Sequence, residues 1–239
     1  MFAPNGIKAI LFDLDGTLRH NRPEGAEVFF EHAISLGLTI SEDDRLRALR
    51  WEHFYWANSP ELQADFKRYN GEKGEFWLNY GRRELIALGT DPKRAAQLAP
   101  VLSQYMDEQY KPESVVPPEV PGVLDRLKEV GFKLGVVSNR EFPYTEELDR
   151  HGLTSRFDFS LAAGEVKSYK PDPGIFLAAL GRIGLEPKAA MYVGDNYFAD
   201  VIGSQRAGLR PVLYDPRGIY PYASCEVIAS FDQLSKLFK

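Results

Sequence analysis

The sequence contains a single cysteine, Cys225, among 239 residues, so no disulfide can form within the chain. Its apolar runs are of strand length, well short of the roughly 20 residues needed to cross a bilayer, and no basic-then-apolar leader opens the chain. These absences exclude a disulfide-stapled secreted scaffold and a membrane span. We therefore expect a cytoplasmic protein that does not associate with a membrane.

The sequence also has no excess of basic residues. Lysine and arginine number 29 against 34 aspartates and glutamates, which leaves a formal net charge of −5. A nucleic-acid-binding protein would normally carry a basic patch or stripe, so we expect no nucleic-acid partner. The hydrophobic fraction of 44% is sufficient for a substantial core. The sequence does not determine the oligomeric state; a monomer or weak dimer is the expectation.

Short apolar runs recur along the chain and lack the alternation of half-buried strands. They predict strands buried on both faces of a parallel sheet. Helical patterns lie between the later runs and end at glycines, as helices commonly do. The fold class predicted is therefore α/β, a doubly wound parallel sheet. The predicted strands are Lys8–Phe12, Lys133–Val137, Ala190–Val193 and Pro211–Tyr214.

The segment 22–114 has a different pattern, with helical periodicity and no convincing strand. Ser41 has the side chain of a helix N-cap, and Asp91-Pro92 has the chemistry of another helix start. Four prolines between residues 111 and 122 then indicate a boundary. We predict a core domain formed by residues 1–21 and 115–239, and a second, smaller all-helical domain formed by residues 22–114.

The first predicted strand ends in the sequence Asp13-Leu14-Asp15-Gly16-Thr17. Residues two apart on an extended chain point the same way, so the carboxylates of Asp13 and Asp15 can converge on one ligand. Open α/β sheets place their sites at this carboxyl edge. The plainer interpretation is a strand followed by a turn, with the acids present for local hydrogen bonds.

Three later segments also place polar groups at predicted strand or helix ends. Ser138 and Asn139 follow the second strand, Lys170 precedes a proline and a helix, and Asp195 follows the third strand with Asp200 five residues later. Paired acids suit a hard cation that prefers oxygen ligands. Taken singly, each segment has an ordinary structural explanation: a loop serine, a solvated lysine, or an N-cap aspartate.

Taken together and in this order, the segments resemble those of the haloacid dehalogenase superfamily of aspartate-nucleophile phosphohydrolases. The resemblance is carried by DLDGT at 13–17, SN at 138–139, KP at 170–171 and GDNYFAD at 194–200. It implies a Rossmann-like core and a helical cap domain inserted after the first motif. Four motifs in order make a far more specific signal than any one of them.

The resemblance also implies a mechanism. Asp13 would attack phosphorus and form an aspartyl-phosphate, while Asp15 would act as general acid and then general base. Mg²⁺ would be held by Asp13, the backbone carbonyl of Asp15 and Asp195. Asp200 would support the metal, through water or by holding its ligands. A phosphate cannot approach several carboxylates without such a cation.

Ser138 and Lys170 would bind the transferring phosphoryl oxygens, with Lys170 part of the catalytic set. Thr17 and the backbone amides of Leu14 and Asn139 would contribute less. Lys167 is a rival for the lysine role, but only Lys170 precedes a proline, as the family pattern expects.

An acid at position 15 favours phosphate esters over halides, because a halide leaves without a proton. The expected activity is Mg-dependent hydrolysis of a small phosphorylated metabolite. A phosphomutase acting on a sugar phosphate would use the same residues, and a non-catalytic binding module on this fold is the alternative from another class. Arg140, where the family more often has a small polar residue, either recognises a second anionic group of the substrate or is a surface charge.

Overall fold

The structure is a computed structural model that describes residues 6–238. Its main sheet has six strands in the order β5-β4-β1-β6-β7-β8, and neighbouring strands pair in parallel. A separate two-stranded sheet contains β2 and β3. The strand bounds are β1 Ala9–Phe12, β2 His20–Arg22, β3 Glu113–Val115, β4 Lys133–Ser138, β5 Phe159–Ala162, β6 Ala190–Gly194, β7 Arg210–Tyr214 and β8 Glu226–Ile228.

One group of helices lies between β2 and β3, and the other helices lie between strands of the main sheet. A π-helix at Tyr197–Ile202 follows β6, and short 3₁₀ turns connect other elements. Within the described part of the chain, no helix combines the length and the apolar character needed to cross a bilayer. The helix bounds are α1 Gly25–Ser35, α2 Glu42–Trp56, α3 Pro60–Arg68, α4 Lys73–Ala87, α5 Pro92–Gln109, α6 Val120–Val130, α7 Thr145–Arg150, α8 Ala163–Val166, α9 Pro173–Ile183 and α10 Gly203–Arg206.

The central strand β1 is fully buried and divides its side chains between the two faces of the sheet. Ile10 and Phe12 belong to one hydrophobic cluster, whereas Ala9 and Leu11 belong to the other. Successive strand residues point to opposite faces, so both faces of β1 need apolar partners. This explains the unbroken apolar run in the sequence and confirms the predicted doubly wound α/β sheet.

The four predicted strands are confirmed as β1, β4, β6 and β7, with ends within one residue. No pattern in the sequence predicted β5 or β8. Strand β5 is four residues long and includes a serine. Strand β8 has three residues at the edge of the sheet, two of them exposed. Such short strands depend on pairing with a neighbour, and their own residues specify them weakly.

The chain divides into two compact units. One consists of the described residues up to His20 together with those from Val115 onward, and contains the main sheet. The other, the helical unit, is Asn21–Ser114; its ends belong to β2 and β3, so the prediction of an all-helical segment is wrong at both ends. In the helical unit, Ser41 accepts from the N–H of Asp44 and closes a capping box at α2, while Asp91 caps α5. Both predicted helix starts are therefore confirmed, whereas a cap role for this unit stays a prediction.

We expect Ser41→Ala to lower the free energy of unfolding by about 1 kcal/mol, because the first turn of α2 loses an acceptor for a free N–H group. Thermal or urea denaturation measures the change. Ser41→Thr is the matched control, because threonine keeps the hydroxyl that accepts from the N–H of Asp44 and donates to Asp44 Oδ2, and it should retain most of the stability. An equal loss in both variants would contradict the capping role.

Candidate active site

The register of the central strands brings the tips of three segments to one edge of the sheet. Phe12 pairs with Val136 of β4 and with Val193 of β6. Asp13 follows directly, and its N–H donates to the carbonyl of Val193 at 2.9 Å. Ser138 lies two residues after Val136, and Asp195 lies two residues after Val193, so both lie at the same edge of the sheet as Asp13. The strand order changes direction at β1, which is where open α/β sheets place their sites.

The chain turns tightly after Asp13. Gly16 has φ of +85° and donates its N–H to the carbonyl of Arg19 at 2.8 Å, while the N–H of Arg19 donates to the carbonyl of Leu14 at 2.9 Å. A Cβ at position 16 would also collide with the carboxylate of Asp195. Position 16 therefore needs glycine both for its conformation and for the close approach of Asp195.

Lys170 is the cation of this site and is 2% exposed. Its Nζ donates to Asp13 Oδ1 at 2.6 Å, to Asp200 Oδ1 at 2.7 Å and to the hydroxyl of Tyr192 at 3.1 Å. These three bonds use all the hydrogens of the ammonium group. Lys167, the rival in the sequence, is exposed, at the end of α8.

Two side chains hold Lys170 in place. Asn139 makes a two-point link, donating from Nδ2 to the carbonyl of Lys170 at 2.9 Å and accepting from its N–H at 2.6 Å. Tyr192 donates its hydroxyl to the carbonyl of Val137 at 2.8 Å, and its ring lies 5.5 Å from the ammonium nitrogen. Sequence reasoning missed Tyr192, because an aromatic residue within a buried strand normally indicates packing alone.

Asp13, Asp195 and Asp200 form a group that could hold a metal ion. Each offers one carboxylate oxygen, and these oxygens all lie within 4.8 Å of one another. Among residues 6–238, no donor reaches Asp13 Oδ2 or Asp195 Oδ2 in a hydrogen bond. An all-oxygen donor set with unpaired carboxylate oxygens fits a hard divalent cation such as Mg²⁺.

The electrostatics of the cluster indicate an excess of negative charge. Burial raises the pKa of Asp13 to about 7; the charge of Lys170 lowers it and that of Asp200 raises it. Burial and the charges of Asp13 and Asp200 raise the pKa of Asp195 well above its ordinary value. Burial alone would lower the pKa of Lys170, but Asp13 and Asp200 outweigh it and raise that pKa. One ammonium group does not balance three carboxylates.

Asp200 and Thr17 form hydrogen bonds with other residues of the site. Asp200 accepts from Lys170 through Oδ1 and from the N–H of Asn196 through Oδ2 at 2.9 Å, which agrees with a supporting role toward a metal. The buried hydroxyl of Thr17 donates to Asp195 Oδ1 at 2.8 Å and accepts from the N–H of Asp195 at 3.0 Å. The geometry thus gives Thr17 a role in orienting Asp195, and its contact with a phosphate stays a prediction.

Asp15 lies at the more exposed side of the same turn and forms ion pairs. Arg140 Nε donates to Asp15 Oδ2 at 2.8 Å, and Arg19 Nε lies 3.1 Å from Asp15 Oδ1. Glu147 of α7 joins both arginines. Sequence reasoning missed Glu147, which carries no motif. Arg140 is half-buried against carboxylates, so it is not a solvated surface charge.

The site thus combines a buried lysine with a group of three carboxylates at the edge of a parallel sheet where the strand order changes direction. The family model of the haloacid dehalogenase-like hydrolases matches residues 7–208. The chain therefore belongs to the haloacid dehalogenase-like hydrolase family, and its relatives mark it as a phosphatase-like member and an enzyme.

Two relatives and one solved structure illustrate the similarity. The chain is 32% identical to a glyceraldehyde 3-phosphate phosphatase of Methanopyrus kandleri, with 85% of this chain and 82% of the relative covered. It is also 32% identical to a phosphoserine phosphatase of Thermus thermophilus, with 90% and 91% covered. The crystal structure of a 2-haloacid dehalogenase from Pseudomonas syringae superimposes with a TM-score of 0.55 at 29% identity, covering 97% of both chains.

We expect Lys170→Met to lower the free energy of unfolding at pH 8 by about 3–5 kcal/mol, because it leaves buried carboxylates without their cation. When folding raises the pKa of a carboxyl group, the contribution of that group to the stability of the folded state decreases as pH rises toward the raised pKa. The variant's deficit should therefore be smaller at pH 5.5 than at pH 8. Denaturation at both pH values, without added metal, measures it.

Lys167→Met is the matched control for this prediction. Because Lys167 is exposed, its loss should change stability by less than about 0.5 kcal/mol at either pH. A Lys170→Met deficit that does not depend on pH would show that the lysine stabilises the fold through packing alone.

Proposed function

We propose that this protein is a Mg²⁺-dependent phosphohydrolase that cleaves small phosphate monoesters through an aspartyl-phosphate formed on Asp13. The observation that carries the proposal is the position of Asp13. Its carboxylate lies at the edge of the sheet where the strand order changes direction. It is bound by buried Lys170 and grouped with two further carboxylates. The phosphatase names of the relatives support the same reaction class.

In the first step, Asp13 attacks the phosphorus atom of the ester in line with the leaving oxygen. The bond between phosphorus and that oxygen breaks, and Asp15 supplies the proton that the departing alkoxide needs. Lys170 and Ser138 would bind the phosphoryl oxygens. Lys170 must then exchange one of its present acceptors for a phosphoryl oxygen, because all its hydrogens are in use.

In the second step, Asp15 takes a proton from water as the water oxygen attacks phosphorus. The bond between phosphorus and the Asp13 carboxylate breaks, so inorganic phosphate is released and the free carboxylate returns. Splitting the reaction in this way replaces one difficult displacement by two easier ones. Asp15 therefore acts in both steps, first as an acid and then as a base.

Asp13, Asp195 and the backbone carbonyl of Asp15 would hold Mg²⁺, with Asp200 supporting them. When bound, the cation supplies positive charge that allows a phosphate dianion to approach Asp13. Thr17 orients Asp195 through its hydroxyl, and Asn139 fixes the segment that carries Lys170. These contacts preorganise the site before any substrate arrives.

The substrate class is a small phosphorylated metabolite. Asp15 can protonate an ester oxygen, which a halide would not need, and this favours phosphate esters over the reaction named for the structurally similar dehalogenase. The relatives act on glyceraldehyde 3-phosphate and phosphoserine according to their names. We propose that the substrate is a cytoplasmic phosphate ester of about the same size as these two compounds.

We expect Asp13→Asn to reduce phosphate release by about 10⁴-fold or more, because an amide cannot form the covalent intermediate. A screen of phosphorylated metabolites with Mg²⁺, repeated with chelator, identifies the substrate and measures the loss. Asp149→Asn, an exposed acid of α7 outside the cluster, is the control and should retain full activity.

Phosphate release that survives both chelator and Asp13→Asn would contradict the mechanism. The same reactions should be examined for isomers of the substrate. An isomer formed without free phosphate would identify a phosphomutase, and wild-type protein that processes no ester would favour the binding module.

We expect Mg²⁺ to raise the melting temperature more at pH 8 than at pH 5.5. The pKa of Asp13 is raised to about 7, so protons occupy a metal-binding carboxylate at the lower pH and the cation must displace them. Magnesium at a hundred times its Kd would stabilise the protein by about 2.7 kcal/mol. Differential scanning fluorimetry without substrate measures the shift.

Potassium chloride at equal ionic strength controls for general screening and should produce little shift. Asp13→Asn should reduce the effect of Mg²⁺ and its dependence on pH. A shift that is the same with K⁺, or one that decreases as pH rises, would contradict a metal site at this cluster.

A further inference from the structure

Asp15 is held by an ion-pair network that the sequence did not predict. Arg140 donates from Nε to Asp15 Oδ2 and from Nη2 to Asp15 Oδ1, both at 2.8 Å. A guanidinium that bonds both oxygens fixes the plane of the carboxylate as well as its position. The side chain of Asp15 is 41% exposed, and without Arg140 it would keep one ion pair, between its Oδ1 and Arg19 Nε at 3.1 Å.

The guanidinium of Arg140 is itself fixed from two further sides. Its Nη1 donates to Glu147 Oε2, and its Cζ lies 5.7 Å from the ring centre of Tyr144. The hydroxyl of Tyr144 donates to the carbonyls of Val136 and Leu161, in β4 and β5. Arg140 is thus anchored to the sheet from which it extends.

Charge in the network is balanced. Arg19 donates to Glu147 Oε1 at 3.0 Å and lies near Asp15, so two arginines face two carboxylates. Burial alone would lower the pKa of Arg140, but Asp15 and Glu147 outweigh burial and raise that pKa. Little positive charge remains for a second anionic group of a substrate, the role that the sequence suggested for Arg140.

We propose that Arg140, supported by Glu147, is a positioning residue that holds the Asp15 carboxylate in the orientation needed for proton transfer to and from the reacting oxygen. This inference rests on the proposed function. Each carboxylate oxygen has two lone pairs. Oδ2 accepts from Arg140 Nε with one of them, and the other remains available for the proton. Proton transfer requires hydrogen-bond geometry, which a fixed carboxylate meets more often than a rotating one.

The role predicts a dependence on the leaving group. We expect Arg140→Ala to lower kcat/KM about 10- to 100-fold for 4-methoxyphenyl phosphate and far less for 4-nitrophenyl phosphate, whose leaving group departs without a proton. The two esters have similar shapes, so a loss of binding would affect both equally. Arg140→Lys, which places one charge without the planar pair, should lie between wild type and Arg140→Ala.

A double-mutant cycle measures the coupling between Arg140 and Asp15. In the Asp15→Asn background, Arg140→Ala should change kcat/KM by less than about 3-fold. Arg156→Ala is the matched control, because Arg156 also forms an ion pair with an aspartate: its Nη2 donates to Asp125 Oδ2 at 3.0 Å, and its Nε lies 2.8 Å from Asp125 Oδ1. That pair has comparable side-chain exposure, 25% and 50%, and lies outside the cluster. Its loss should leave the kinetics of both esters unchanged.

Equal losses for both esters, or a loss that persists in Asp15→Asn, would overturn the proposal and assign Arg140 to substrate binding. No loss for either ester would also overturn it. Thermal denaturation checks folding, and Glu147→Gln replaces Arg140→Ala if that variant does not fold. Asp13→Asn in the same assay tests the proposed function separately, because phosphate release by that variant would refute the nucleophile itself and not only the positioning of Asp15.

Discussion

Repulsion among buried carboxylates is the constraint on which the rest of the site depends. Asp13, Asp195 and Asp200 lie close enough to share one ligand, and burial raises the pKa of Asp13 and of Asp195. Lys170 relieves part of this cost, and it can do so only while Asn139 and Tyr192 hold it against the acids. A cluster that retains surplus negative charge is suited to a divalent cation and, through it, to a phosphate.

The doubly wound sheet supplies the geometry that this cluster needs. Strand β1 occupies the middle of the sheet, with β4 and β6 on either side. The residues after three parallel strands therefore meet at one edge, although they are far apart in the sequence. Short strands fix the loops rigidly because both faces of the sheet are packed. The same arrangement places Arg140, one residue after Asn139, against Asp15 on the neighbouring turn.

The sequence was a good guide wherever local chemistry determines structure. The apolar runs identified the buried strands, and Ser41 and Asp91 marked helix starts. The strand tips and DLDGT indicated which polar groups would converge. Contacts between distant side chains could not be predicted. Tyr192 and Glu147 acquire their roles only from partners that folding brings near, and neither belongs to a pattern that a single sequence displays.

The reciprocal bond between Thr17 and Asp195 joins residues 178 positions apart. During synthesis, β1 emerges before the helices of Asn21–Ser114, whereas its partner β6 is made after them. The helices of Asn21–Ser114 rely on contacts closer in sequence, and such local contacts form faster than distant ones. The acidic cluster can therefore be completed only after the helices of Asn21–Ser114 have had the opportunity to fold.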